Sequence, residues 1–130
     1  MNPEIGEHSP TIVDEAAVRR FVGHDVELLQ ALVVAYLQQA PTLAGNLHRA
    51  ARLEPPAFQQ ELVRLRGACR LLFAERALRA LDRVEAALRK RRLSRRHAVE
   101  QLLPELGILE ATLLAMRAPL ERELGWKVLP

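Results

Sequence analysis

The chain has 130 residues, 49% hydrophobic and 27% charged, which is the composition of one globular domain and argues against a disordered chain. The single cysteine excludes an internal disulfide, and no Cys or His pair has the spacing of zinc ligands. No apolar run reaches the roughly 18 residues of a membrane span, and Met1 to Pro10 lack the apolar stretch of a signal peptide. We therefore expect a cytoplasmic protein with no metal, no cofactor and no membrane span.

The charge is unevenly distributed along the chain, although the net value is only +3. Residues 63–97 carry 12 Lys/Arg against 3 Asp/Glu, whereas residues 1–62 carry 4 against 8 and residues 98–130 carry 3 against 5. A basic middle between acidic ends indicates either an acidic or phosphorylated partner or a solvated basic connection.

The spacing of apolar residues at three and four predicts helices and no strand. Residues 1–10 are expected to be a flexible lead. A short helix is predicted from Asp14 to Phe21, closed by Gly23. One side of this helix is expected to carry Val13, Ala17 and Phe21.

A long second helix is predicted from Asp25, a favourable N-cap, to Ala51. Pro41 lies inside it and is expected to kink the helix without ending it. The apolar stripe of this helix consists of Leu28, Leu29, Leu32, Val33, Tyr36, Leu37, Leu43, Leu47 and Ala50.

Two further helices are predicted after the break at Pro55-Pro56. The third runs from Pro56 to Leu72, and the fourth from Glu75 to Arg91. In the third, the predicted buried residues are Phe58, Leu62, Leu65, Cys69 and Leu72. In the fourth, they are Leu78, Leu81, Val84 and Leu88, with Ala87 beside them.

A last helical region begins after Ser94, its predicted cap, and Pro104 and Pro119 are expected to kink or divide it. Its inner face carries Val99, Leu102, Leu106, Leu109, Leu113, Met116 and Leu120. Four long amphipathic helices with short connections predict an all-α fold, an antiparallel four-helix bundle with a short extra N-terminal helix. The bundle is assigned to residues 11–125 and a C-terminal tail to residues 126–130, with Trp126 covering the bundle.

The third helix has a second informative face beside its buried stripe. Val63, Arg66, Gly67 and Arg70 share this face because residues three, four and seven apart return to the same side. A glycine in mid-helix costs about 1 kcal/mol relative to alanine. Close approach of either a neighbouring helix or a docking partner would explain Gly67, and the sequence leaves both explanations open.

These residues resemble the third-helix motif of the histidine-containing phosphotransfer (HPt) domain of bacterial phosphorelays, His-x-x-Lys-Gly followed by small residues. The corresponding run here is Val63-Arg64-Leu65-Arg66-Gly67-Ala68-Cys69. Upstream, Gly23-His24-Asp25-Val26-Glu27-Leu28-Leu29 is similar to the family's G-x-D-x-E-L-L entry into its long helix, and Tyr36 to Pro41 is similar to the tail of that helix. The resemblance covers residues 12–120, nearly the whole predicted bundle.

The sequence departs from the family motif at the positions that carry its chemistry. The phosphoacceptor histidine falls on Val63, which has no nucleophilic atom, and a later glycine near the docking surface falls on Phe73. The family's lysine falls on Arg66, and Gly67 is retained. The resemblance therefore implies a degenerate HPt domain that is not an enzyme and has no catalytic residue. It would bind response-regulator receiver domains or sensor histidine kinases through Val63, Arg66, Gly67 and Arg70, with Phe73 at the edge of the contact.

Two alternatives stay open at this point. One is an active phosphotransfer protein with a non-standard acceptor, or with an orthodox acceptor on a partner chain. None of the four histidines is followed by the motif's cation and glycine; they are His8, His24, His48 and His97. The other is a basic nucleic-acid-binding bundle centred on residues 89–96, which is disfavoured because aromatic residues for base stacking are absent around that run.

Overall fold

A computed structural model of the chain describes residues 10–128, with side chains described as far as Gly125. Within this range the chain is all-helical, with five packed α-helices and no strand. The helices are α1 (Glu15–Phe21), α2 (Val26–Ala51), α3 (Pro55–Leu71), α4 (Glu75–Arg89) and α5 (Arg95–Val128). The predicted helices are confirmed, whereas residues 1–9 of the predicted lead and the Trp126 side chain lie outside the described part of the chain.

Polar side chains begin three of the helices as the sequence indicates. The Asp14 carboxylate accepts a hydrogen bond from the Ala17 amide at the start of α1. Asp25 accepts in the same way from the Leu28 amide at the start of α2. Ser94 Oγ accepts from the His97 amide at the start of α5, at 3.1 Å. Each cap satisfies an amide that has no partner within its own helix, which explains why the helices begin at these residues.

Three helices end in the same way, with the residue after the C-cap in the left-handed conformation. These residues are Gly23 (φ 64°), Phe73 (φ 49°) and Arg91 (φ 54°), and His24, directly after Gly23, is left-handed as well (φ 60°). After each, an amide bonds back to a carbonyl five residues earlier: His24 to Arg19, Ala74 to Cys69, and Arg92 to Ala87. This pattern is the Schellman motif, in which glycine is the favoured residue at the left-handed position. Phe73 and Arg91 therefore hold a backbone conformation that is unfavourable for their side chains.

The long final helix corrects one expectation. Pro104 and Pro119 were expected to kink or divide this region; they do not divide it, because α5 is a single helix through both, and it extends into residues 126–128 of the predicted tail. Packing of α5 along both α2 and α4 compensates for the backbone hydrogen bonds that proline cannot donate. Pro41 likewise lies inside the uninterrupted helix α2, as predicted.

The core lies between the helices and is almost entirely apolar; its one described exception is the hydroxyl of Tyr36, which is buried without a hydrogen-bond partner among the described residues. All five predicted core residues of α3 are buried: Phe58, Leu62, Leu65, Cys69 and Leu72. The apolar stripe predicted for α2 is wrong at Leu28, which is 46% exposed, and Phe21 at the end of α1 is 59% exposed. The buried line of α2 instead passes through Val26, Leu29 and Val33, which leaves Leu28 turned away from the core.

Candidate docking surface on the third helix

The face that the sequence singled out on α3 lies at the protein surface. Leu62, Leu65 and Cys69 point into the core, and this orientation leaves Val63 59% exposed. Gly67 and Arg70 are also exposed. We call the set Val63, Arg66, Gly67, Arg70 and Phe73 the α3 face.

The surroundings of Gly67 decide between the two explanations left open by the sequence. A Cβ atom built on Gly67 would meet no atom of another element within 4 Å. No neighbouring helix in the described chain therefore requires a glycine here. The neighbouring-helix explanation is wrong, and close approach by another molecule is the explanation that stays open.

Arg66 differs from the other members of the α3 face because α4 already holds its charge. Its guanidinium donates hydrogen bonds to Asp82, at 2.8 Å, and to Glu85. Burial opposes the charged form of Arg66, but the hydrogen bond to Asp82 and the charge of Glu85 outweigh it and raise its pKa. A phosphate group would therefore compete with two carboxylates for this cation. Arg66 joins α3 to α4 rather than presenting a free charge to a ligand.

Arg70 is the cation of the α3 face that is available to a partner. Its side chain is exposed and forms no ion pair with any of the described carboxylates. Arg64, an earlier residue of the same helix, instead forms an ion pair with Glu61 at 3.3 Å. The α3 face therefore presents one unpaired guanidinium next to its apolar and glycine positions.

Two exposed apolar residues adjoin the α3 face and were missed in the sequence. Leu71 is 42% exposed and continues the row that starts at Val63 and Gly67, because the three residues are spaced four apart on one helix. Phe21 packs edge-on against Phe73, with ring centroids 6.0 Å apart and an interplanar angle of 61°. The spacing from Gly67 could have identified Leu71. Only the fold could identify Phe21, since it lies 52 residues from Phe73 in sequence.

No alternative nucleophile accompanies the α3 face. The described histidines lie on other elements: His24 between α1 and α2, His48 on α2, and His97 on α5. Cys69 is on α3 but is fully buried, and burial, partly offset by the charge of Arg66, raises the pKa of its thiol to about 12. Such a thiol is protonated at neutral pH and unreactive. Among residues 10–125, no group of three or more His, Cys, Asp or Glu side chains is arranged to hold a metal ion.

In comparisons with known proteins, the chain matches no family model, no curated protein and no solved structure. No helix in the described part of the chain is both long and apolar enough to cross a membrane. The interpretation of the α3 face therefore rests on its own geometry and on the sequence motifs that surround it.

Proposed function

We propose that this chain is an HPt-like signalling module that binds a receiver domain or a sensor histidine kinase without accepting phosphate. The observation that carries the proposal is an exposed valine next to an open glycine on α3. Val63 is 59% exposed, and Gly67 leaves room for another molecule to approach the backbone one turn away. In the HPt motif that the sequence resembles, the position of Val63 belongs to the phosphoacceptor histidine.

The packing of the helices supports an HPt-like architecture. In the described chain, α2 packs against α3, α3 against α4, α4 against α5, and α5 against α2, while α1 packs against α2. Between successive helices, the connections contain three to five residues. Short connections favour antiparallel neighbours, and a closed ring of four neighbours is typical of a four-helix bundle. We therefore interpret α2–α5 as the antiparallel bundle and α1 as the extra helix.

The composition of the α3 face suits protein recognition. Val63 and Leu71 provide exposed apolar area, and Arg70 provides an unpaired guanidinium. Arginine and aromatic residues are enriched in interfaces. The edge-on pair of Phe21 and Phe73 lies at the end of α3. A partner with an apolar patch and an adjacent carboxylate would complement this surface.

The same face lacks what phosphate transfer requires. Transfer to a side chain needs an exposed nucleophile, which valine does not have. The nearest cation to that position in the motif, Arg66, is already paired with Asp82 and Glu85. Docking without phosphorylation is therefore the function that these residues support best.

A binding experiment tests the docking proposal. Purified receiver and kinase domains from the source organism would be titrated against the wild-type chain by biolayer interferometry, together with V63E and L114E. Leu114 is a matched control because it is an apolar residue of α5 that is 50% exposed. We expect at least one domain to bind, V63E to abolish binding and L114E to retain it. Absence of binding to every domain, or equal loss in both variants, would refute the proposal.

A second measurement separates docking from phosphate transfer. The bound receiver would be phosphorylated and incubated with the wild-type chain, and acid-labile phosphate on the chain would be measured. We expect none. Robust labelling would instead establish the alternative of a phosphotransfer protein with a non-standard acceptor.

A further inference from the structure

A basic cleft of about 870 Å³ lies at the end of the protein where α3 begins, away from the α3 face. The ends of α2 and α4, the starts of α3 and α5, and the connection between α4 and α5 form its walls. Four arginines line it: Arg91, Arg92, Arg95 and Arg96. Its apolar lining is formed chiefly by Phe58, Leu88 and Leu93. We refer to this set of residues as the basic cleft.

The cleft carries a concentration of positive charge that the protein does not neutralise. Among residues 10–125, no carboxylate side chain lines it. Arg91 and Arg92 are exposed, and neither side chain forms an ion pair or hydrogen bond with any of the described residues. Arg96 makes only a 3.5 Å contact with Glu100 on the solvent side. Two helices end at this site and two begin there, so the negative and positive ends of their dipoles offset each other. The helix dipoles therefore do not neutralise the positive charge of the arginines.

Arg95 has a different role from the other three arginines. Its guanidinium donates hydrogen bonds to the carbonyl oxygens of Ala51, at 3.0 Å, and Leu53, at 3.1 Å. These carbonyl groups lie at the end of α2 and just after it, so the hydrogen bonds of Arg95 connect the start of α5 to the end of α2. It fixes the wall of the cleft and leaves Arg91, Arg92 and Arg96 for a ligand.

The volume and lining of the cleft indicate the class of ligand. Pockets that enclose small molecules typically have volumes of about 300–1,000 Å³. Guanidinium groups match the geometry of phosphate oxygens in paired hydrogen bonds. The half-buried Leu88 and Leu93 offer apolar surface next to these groups. The cleft is a concave recess with an open mouth, and it admits a discrete molecule that lies against the arginines and the apolar wall together.

We propose that the basic cleft binds an organic phosphate, a ligand in which a phosphate or diphosphate is joined to an apolar or heterocyclic body, as in a nucleotide. The phosphate lies against Arg91 and Arg92, and the body lies against Leu88 and Leu93. The ligand relieves the repulsion among the arginines and stabilises the junction of four helices. This site is independent of the α3 face and of the proposed docking function.

Calorimetric titration of the full chain with ADP and GDP, at low ionic strength and without divalent metal, tests the site. The variant R91G/R92A removes the two unpaired cations, and glycine suits the left-handed backbone at position 91. The control R83A/R122A removes the same charge from two exposed arginines outside the cleft. We expect saturable 1:1 binding of at least one nucleotide, weakened about tenfold or more in R91G/R92A and unchanged in the control.

Parallel titrations identify which part of the ligand is recognised. Pyrophosphate, which has no apolar body, is expected to bind about tenfold more weakly than the better nucleotide. The proposal is overturned by absence of saturable nucleotide binding, by equal weakening in the control, or by equal affinity for pyrophosphate. Binding only to phosphatidylserine vesicles, or only to single-stranded DNA, also overturns it. Receiver binding should be unchanged in R91G/R92A, and nucleotide binding unchanged in V63E, so the two proposals fail separately.

Discussion

Arg66 on α3 and Asp82 on α4 are joined by a hydrogen bond of 2.8 Å, and Glu85 accepts a second hydrogen bond from the same guanidinium. The cation that the HPt resemblance assigns to a phosphoryl group is thus part of an internal network. Asp82 is largely exposed, whereas Arg66 and Glu85 are mostly covered, so solvent screens the contact with Glu85 less than the contact with Asp82.

Arg66 is therefore expected to stabilise the fold. Replacing it by alanine leaves the mostly covered Glu85 without this partner, and should lower the free energy of unfolding by about 1–3 kcal/mol. Arg70→Ala on the same helix removes an exposed, unpaired charge and should change it by less than about 0.5 kcal/mol. Urea denaturation of the two variants provides the comparison. Equal effects would show that the network adds nothing to stability.

The orientation of α3 makes opposite predictions for two neighbouring apolar residues. Leu65 is 4% exposed and Val63 is 59% exposed. Leu65→Ala should therefore lower the free energy of unfolding by about 2–5 kcal/mol, because it leaves a cavity in the core. Val63→Ala should change it by roughly 0.5 kcal/mol or less. Comparable losses in chemical denaturation would mean that the helix is rotated from the orientation described.

Two of the three described non-glycine residues with left-handed backbone, Phe73 and Arg91, predict stabilising substitutions. Arg91→Gly should raise the free energy of unfolding by about 1 kcal/mol, because glycine adopts φ 54° without the steric penalty of a side chain. Phe73→Gly should gain less, since it also loses the ring contact with Phe21, which is worth about 0.5–1.5 kcal/mol. Phe21→Ala measures the ring contact separately. A larger gain for Phe73→Gly than for Arg91→Gly would contradict this account.

The sequence predicted much of this fold because its helices are defined by local signals. Asp25 and Ser94 are caps whose hydrogen-bond partners lie three residues away, and the apolar spacing of α3 identified all its buried residues. The continuity of α5 through Pro104 and Pro119 was not predictable, because local rules do not include packing against α2 and α4. The contact of Phe21 with Phe73 was not predictable, because the two residues are distant in sequence.

The candidate site was only partly predictable for the same reason. The helical period placed Val63 and Gly67 on the surface, as the structure has them. It gave no information about the partners of Arg66, because Asp82 and Glu85 belong to another helix. The basic cleft was visible in sequence only as a charged run, since its other walls come from the end of α2 and the start of α3.

Burial of Cys69 predicts a pH dependence of stability. Burial raises the pKa of the Cys69 thiol in the folded state to about 12 from its ordinary value of 9.0, so the folded state retains a proton that the unfolded state loses. The contribution to stability is complete below pH 9.0 and is lost as the pH rises from there toward 12. Wild type should therefore lose stability between pH 8 and 10 more steeply than Cys69→Ala does, by up to about 1.4 kcal/mol per pH unit above the unfolded pKa. The free energy of unfolding of both proteins would be measured by urea denaturation at each pH. An equal fall with pH in wild type and in Cys69→Ala would contradict this assignment.

Restoring the motif histidine alone should not restore phosphate transfer. Val63→His supplies the nucleophile that valine lacks, but the side chain of Phe73 stands at the edge of the α3 face, where the family has glycine. A misplacement of about 1 Å can slow a positioned reaction about 100-fold. The double variant V63H/F73G should therefore be labelled faster than V63H, and V63H/L114G, altered at a distant exposed site, should resemble V63H. The measurement is acid-labile phosphate taken from a phosphorylated receiver that has been shown to bind the chain. Full labelling of V63H alone would show that Phe73 does not obstruct docking, and labelling of neither variant would contradict the prediction that removing Phe73 is enough to make the new histidine reachable.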